Sequence, residues 1–126
     1  MPNNLVYLYF MYLNQSKRKG KEGEDQAIAF LRTMGMHIRS RNFRSGRKEI
    51  DIIAQDGDCM LFVEVKNRIN DHFGCPEDFV SQAQQERILE AAEDWILANQ
   101  WTGKIRFDII AISQESGLKH IADAFF

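Results

Sequence analysis

Three charged residues in the stretch KEIDIIAQDGDCMLFVEVK, residues 48–66, have the types and spacing of a hydrolytic centre: Asp51, Glu64 and Lys66. Carboxylates held side by side repel each other, and a cation or a shared proton relieves that repulsion. Hard divalent cations such as Mg²⁺ take one or two carboxylates and complete their shell with waters and substrate phosphates. A lysine on the same face could hold a nucleophilic water or stabilise negative charge on a phosphoryl centre. The chemistry such a set suits is metal-assisted hydrolysis of a phosphate ester.

The elements that must position these residues are two strands, 49–54 and 59–66, joined through Asp56-Gly57, a short hairpin signal. Side chains alternate between faces along a strand. Leu61, Val63 and Val65 therefore share one face, and Phe62, Glu64 and Lys66 the other; Ile50 and Ile52 oppose Glu49 and Asp51. A two-residue turn centred on Asp56 and Gly57 pairs position 49 with 64 and 51 with 62. This register gathers Glu49, Asp51, Glu64 and Lys66 on one face, with Asp51 and Glu64 as diagonal neighbours about 7 Å apart at the backbone. A bulge would shift it.

Gly23-Glu24, Glu49-Ile50-Asp51-Ile52-Ile53-Ala54 and Phe62-Val63-Glu64-Val65-Lys66, in this order and spacing, resemble the bacterial UPF0102 (YraN-like) family. Asp51 with Glu64-Val65-Lys66 also resembles the D…(D/E)-x-K core of restriction-endonuclease-like nucleases. The likeness runs over residues 20–126 and extends to archaeal Holliday-junction resolvases. It implies an α/β restriction-endonuclease-like fold, a central mixed sheet flanked by helices. It also implies a metal-dependent endonuclease that hydrolyses DNA phosphodiester bonds, on branched or recombination and repair substrates. On that implication Asp51 and Glu64, with the Val65 carbonyl, hold Mg²⁺ or Mn²⁺; Lys66 orients or helps deprotonate a water; Glu24 adds a further ligand directly or through water. Glu49 and Gln84 stand behind these residues as supports. The chain departs from the family at Lys48, where glycine is usual, and at Gln84, where lysine is frequent. Two readings from other classes stay open: a nucleic-acid-binding module that keeps the fold without turnover, and an interaction protein whose carboxylates are structural.

A chain of 126 residues with 44% hydrophobic and 27% charged residues suits one globular domain with its own core. The net charge of −2 excludes a protein that coats nucleic acid by bulk charge. Basic residues are nevertheless bunched, at Lys17, Arg18, Lys19 and Lys21 and again at Arg39, Arg41, Arg44, Arg47 and Lys48. Arg39, Arg41, Arg44 and Arg47, with Arg68 beyond the hairpin, are the expected phosphate contacts. Cys59 and Cys75 form neither a metal motif nor a disulfide framework, as expected of free thiols in a reducing cytoplasm. His37, His72 and His120 are scattered and take no assigned role.

The remaining pattern supplies the scaffold. Residues 17–34 read as a helix stopped by Gly35, with Ala27, Ile28, Leu31 and Met34 in one stripe. Glu24 lies on that inward stripe; a first-turn glutamate favoured by the helix dipole is the plainer account of it. Residues 36–43 read as a strand and 67–79 as a loop. Residues 81–99 read as a helix opened by the capping box Ser81-x-x-Gln84. Residues 105–112 suit a buried central strand, within which Asp108 is unusual. Residues 120–126 read as a last strand or a closing segment.

Residues 1–15 are expected to form an arm and 16–126 a single nuclease-like domain. LVYLYFMYL, residues 5–13, is too short for a membrane span of about 20 residues and lacks a basic start and a cleavage site. It packs on its own domain, pairs with a second subunit, or reflects a start placed before Met11; the expectation adopted is an added strand across a homodimer. Removing residues 1–13 should then lower the mass measured in solution. A truncated protein that stays soluble in the full-length oligomeric state would show that the arm builds no interface.

Overall fold

Ala27, Ile28 and Leu31 recur at helical spacing, and the chain is helical from residue 20 to 33 (α1). The structure is a computed structural model describing residues 20–68, 80–114 and 116–126. The apolar arm at 5–13, the basic group at 17–19, His72, Cys75 and most of the loop expected at 67–79 lie outside the described residues. Gly35 ends α1 with φ 84°, and the Gly35 and Met36 amides donate to the carbonyls of Arg32 and Leu31 at 3.0 and 3.1 Å. That pairing satisfies carbonyls which the helix itself leaves open.

Strands β1 (His37–Ser45), β2 (Lys48–Asp56) and β3 (Cys59–Arg68) follow, then helix α2 (Gln82–Asn99) and strands β4 (Lys104–Ser113) and β5 (Gly117–Ile121). They form one five-stranded sheet in sequential order. All neighbours are antiparallel except β3 and β4, which are parallel and therefore need a long crossover. α2 lies in that crossover. Met60, Phe62, Phe107 and Ile109 pack with Ile88, Ala91, Ala92 and Trp95 of α2. Leu61, Val63, Ile110 and Ile112 pack with Ala27, Ile28 and Leu31 of α1 on the other face. This is the α/β restriction-endonuclease-like arrangement that the resemblance implies, a mixed sheet with a helix against each face. No helix among the described residues is long and apolar enough to cross a membrane.

Two local features differ from expectation. First, Asp56 pairs with Cys59, so the central turn residues are Gly57 and Asp58. Gly57, with φ 59°, takes the first central position. A type II′ turn asks for positive φ only there, whereas a turn centred on Asp56 and Gly57 would ask it of Asp56 too. The register moves by two residues, which preserves the faces. Extending the last pair, Ile52 with Val63, by one residue sets Asp51 straight across from Glu64 instead of diagonal to it.

Second, β2 does not alternate throughout. Ile50 joins the α2-side core with Ile53, while Ile52 joins the α1-side core. The break coincides with Asn42, whose φ is 53°, and with a gap in the ladder between Arg41–Ile52 and Phe43–Ile50. Beyond it Glu49 no longer follows the face of Asp51. At the other end of the chain, β5 stops at Ile121, and residues 122–126 close the α2-side core as irregular backbone. The Ala124 amide donates to the Phe107 carbonyl at 2.8 Å, and Phe125 is buried against Phe107.

Asp108 is wholly buried in β4 and fully engaged. Arg106 donates to both its oxygens at 2.8 Å, the Asp123 amide donates to Oδ1 at 3.0 Å, and His120 Nε2 lies 2.7 Å from Oδ2. Burial acts to raise this carboxyl, but these partners outweigh it and hold it below the usual carboxylate range. Removing one member of a buried ion pair strands the other. Asp108→Ala should therefore destabilise the protein by about 3–5 kcal/mol in chemical denaturation. A loss under about 1 kcal/mol, the worth of a surface pair, would show that Arg106 is relieved by solvent.

Candidate active site

The hairpin brings Asp51 and Glu64 together on the α2 side of the sheet, where the β2–β3 ladder ends at Ile52 and Val63. Past that point β3 has no β2 backbone to bond. The Val65 amide instead donates to Asp51 Oδ2 at 2.8 Å. A strand residue presents its N–H and C=O to the same side, so the Val65 carbonyl opens onto this gap as well.

The Glu64 side chain is 11% exposed. Its Oε1 receives Gln84 Nε2 at 2.9 Å and lies 3.5 Å from Lys66 Nζ. Gln84 reaches it from the first turn of α2. Ser81 caps that helix by accepting from the Gln84 amide at 3.1 Å. The capping box is thus half made, because the Gln84 side chain turns across to β3.

Burial first, then the charge of Glu64 and more weakly that of Glu24, pushes the Asp51 carboxyl up to about 8, against the Val65 hydrogen bond. Burial raises Glu64 as well, opposed by Lys66, Asp51 and Gln84. Without a cation, burial and mutual repulsion thus favour a proton held by the pair.

Glu24 approaches from α1. Arg41 Nε and Asn42 Nδ2 donate to its Oε2 at 3.1 and 3.2 Å. Arg41 also binds Asp25 and the Lys21 carbonyl. Its positive charge is thus committed within the protein and is not free to meet a phosphate in this arrangement.

The remaining expected residues lie elsewhere. Glu49 is not brought to the pair: it sits across from Arg44, whose Nη2 is 3.7 Å from its Oε2. Arg39 lies over Trp95, 5.4 Å from the ring centroid, and donates to Gln55. Arg44 and Arg47 are exposed, Arg47 in the β1–β2 turn. The backbone of Arg68 ends β3, and its side chain lies outside the described residues.

Among the described residues no three of His, Cys, Asp or Glu converge closely enough to ligate one ion. The donor set is two facing carboxylates and a strand carbonyl, which fits a hard divalent cation that keeps several waters. Asp51 and Glu64 repel while buried, and such a cation would relieve what the proton now relieves. Asn42 was missed by sequence reasoning. The available signal was an asparagine inside the strand-like run HIRSRNFRS, since asparagine is depleted in strands and tolerates left-handed backbone.

The raised Asp51 pKa has a consequence for stability. Below the ordinary carboxylate range both states are protonated. Above it the unfolded chain ionises while the folded chain keeps its proton, so stability falls with rising pH until about 8. Metal-free protein should lose melting temperature across this window relative to Asp51→Asn, which should melt higher than wild type at its upper end. Parallel profiles for the two proteins would show that Asp51 holds no proton in this range.

Comparison with known proteins shows which family the chain resembles. The family model described as Uncharacterised protein family UPF0102 matches residues 23–112. A UPF0102 protein of Cytophaga hutchinsonii is 44% identical over 106 residues, covering 84% of this chain and 94% of the relative. One from Thermodesulfovibrio yellowstonii is 43% identical over 107 residues, 85% of this chain and 95% of the relative. A third, from Persephonella marina, is 42% identical over 108 residues, 85% and 92% of the two chains. The matched span contains Glu24, Asn42, Asp51, Glu64, Lys66 and Gln84 together, and on this similarity the chain belongs to the UPF0102 family.

Proposed function

We propose that the protein is a metal-dependent endonuclease that hydrolyses DNA phosphodiester bonds, with branched recombination or repair intermediates as its substrates. The observation that carries this reading is the half-buried Asp51–Glu64 pair with Lys66 beside it, 3.5 Å from Glu64. Two carboxylates pressed together without a compensating cation destabilise a fold, and function is the ordinary reason to keep them. Asp51, Glu64 and the Val65 carbonyl would hold Mg²⁺ or Mn²⁺. Bound there, the cation would supply Lewis-acid stabilisation of the phosphate and a water of lowered pKa.

The protein's own groups divide the rest of the task. Lys66 orients a water or offsets charge developing on the phosphoryl oxygens. Gln84 holds Glu64 by its amide, which leaves the carboxylate charge available. Arg47 is exposed and available for substrate phosphates, and Arg44, 75% exposed, would exchange its loose contact with Glu49 for one.

A second reading is a nucleic-acid-binding module without turnover. Gln84 favours it, since an uncharged amide meets Glu64 at a position where the resemblance leads one to expect a lysine.

A panel of four-way junction, flap, single-stranded and duplex DNAs, incubated with Mg²⁺, Mn²⁺ or chelator, separates these readings. The endonuclease should cut at least one substrate only with metal. Lys66→Ala should lower kcat by about 10²–10⁴-fold, the range for a positioned proton-transfer group. Binding with no cleavage in any metal would favour the second reading, and neither binding nor cleavage would remove both.

A further inference from the structure

Within β1 only Asn42 takes positive φ, at 53°. Its neighbours pair in the ordinary way, Arg41 with Ile52 and Phe43 with Ile50, and the ladder skips the position where Asn42 would meet Asp51. One residue thus sits at the level where β2 changes face, and a β2 carboxylate of the candidate site lies across from it. The Asn42 side chain reaches α1. Its Nδ2 donates to Glu24 Oε2 at 3.2 Å, beside Arg41 Nε at 3.1 Å. Arg41 is itself fixed to the start of α1 through Asp25 and the Lys21 carbonyl. Both donors use the same oxygen, so the carboxylate is clamped by Oε2 alone and its other oxygen is not needed for the clamp.

We propose that Asn42 is a positioning residue of the cation site and acts through Glu24. The β1–β2 register sets it across from Asp51, and its amide, with Arg41, fixes Glu24 of α1 by one oxygen. Glu24, whose charge is felt at Asp51, would add a third negative charge near a cation held by the pair. This rests on the metal-dependent reading given above. A merely structural role for Asn42 would end with the kink; a positioning role requires the amide.

The two roles separate by substitution. Asn42→Gly keeps the left-handed backbone without steric penalty and deletes the amide. Asn42→Asp also tolerates that backbone but sets a carboxylate against Glu24. Three quantities are measured for each variant: the metal-free melting temperature, the Mn²⁺ concentration giving half the maximal thermal shift, and kcat and KM for cleavage. Asn42→Gly should melt close to wild type, need about tenfold more Mn²⁺, and lose kcat with KM for DNA unchanged. Asn42→Asp should need more Mn²⁺ again.

In a Glu24→Gln background Asn42→Gly should change the Mn²⁺ requirement no further, because residues acting through one another are not additive. A wild-type Mn²⁺ requirement in Asn42→Gly, or the same factor lost in both backgrounds, overturns the proposal while leaving the endonuclease reading standing. A wild-type protein that shows neither a Mn²⁺ shift nor cleavage overturns that reading, and this proposal with it. If Asn42→Gly fails to fold, Asn42→Asp carries the comparison, and a wild-type Mn²⁺ requirement in it overturns the proposal.

Discussion

Two carboxylates held face to face and half-buried set the terms for the rest of this molecule. Asp51 and Glu64 cannot both ionise there without compensation, and burial rather than any single neighbour is the main reason. What surrounds them is a set of partial compensations. The Val65 amide serves Asp51, and Gln84 and Lys66 serve Glu64. These contacts oppose the effect of burial without cancelling it, and both carboxyls stay raised. An arginine bound directly to either carboxylate would have quieted the repulsion permanently. Arg41 is placed on Glu24 and Asp25 instead.

A scaffold that carries this destabilising pair must be firm elsewhere. Met60, Leu61, Phe62 and Val63 are completely buried, with alternate side chains packed under α2 and α1. The same strand continues directly into Glu64, Val65 and Lys66, so a fully enclosed run aims the candidate site residues. A second anchor lies in the β1–β2 turn, where Ser45 and Lys48 both bind Asp94 of α2. It fixes the far end of β2 after the strand has left β3. The bend at Asp51 is therefore held from both sides.

Much of this was legible in the sequence, for identifiable reasons. The alternation in 59–66 is strict, so the faces of Glu64 and Lys66 follow from period two alone. Ser81, Gly35 and the run at 105–112 are local signals with local causes, and each element falls where those signals put it. The turn was misplaced by one residue because Asp-Gly is compatible with glycine at either central position, and only the strand pairing decides. Glu49 was assigned by extending the alternation through Asp51, where Asn42 interrupts it from a neighbouring strand. Arg41 looked like a free cation because its partners, Glu24 and Asp25, lie on α1 and meet it only when the helix docks. Contacts of this kind are tertiary, and no local pattern encodes them.

The parallel contact between β3 and β4 carries a kinetic consequence. The β1–β2 and β2–β3 hairpins close through turns of two residues, whereas β4 reaches β3 only after residues 69–103 have been traversed. Contacts close in sequence form before distant ones, because short loops lose less entropy on closure. The three-strand meander can therefore assemble while its exposed carboxylates are still hydrated and mutually screened. Their desolvation falls on the later step, when α2 and β4 settle onto the meander and Gln84 covers Glu64. That step is the slow one by topology and the electrostatically uphill one by chemistry, so the charge on these two carboxylates bears on the rate of assembly as well as on its end point.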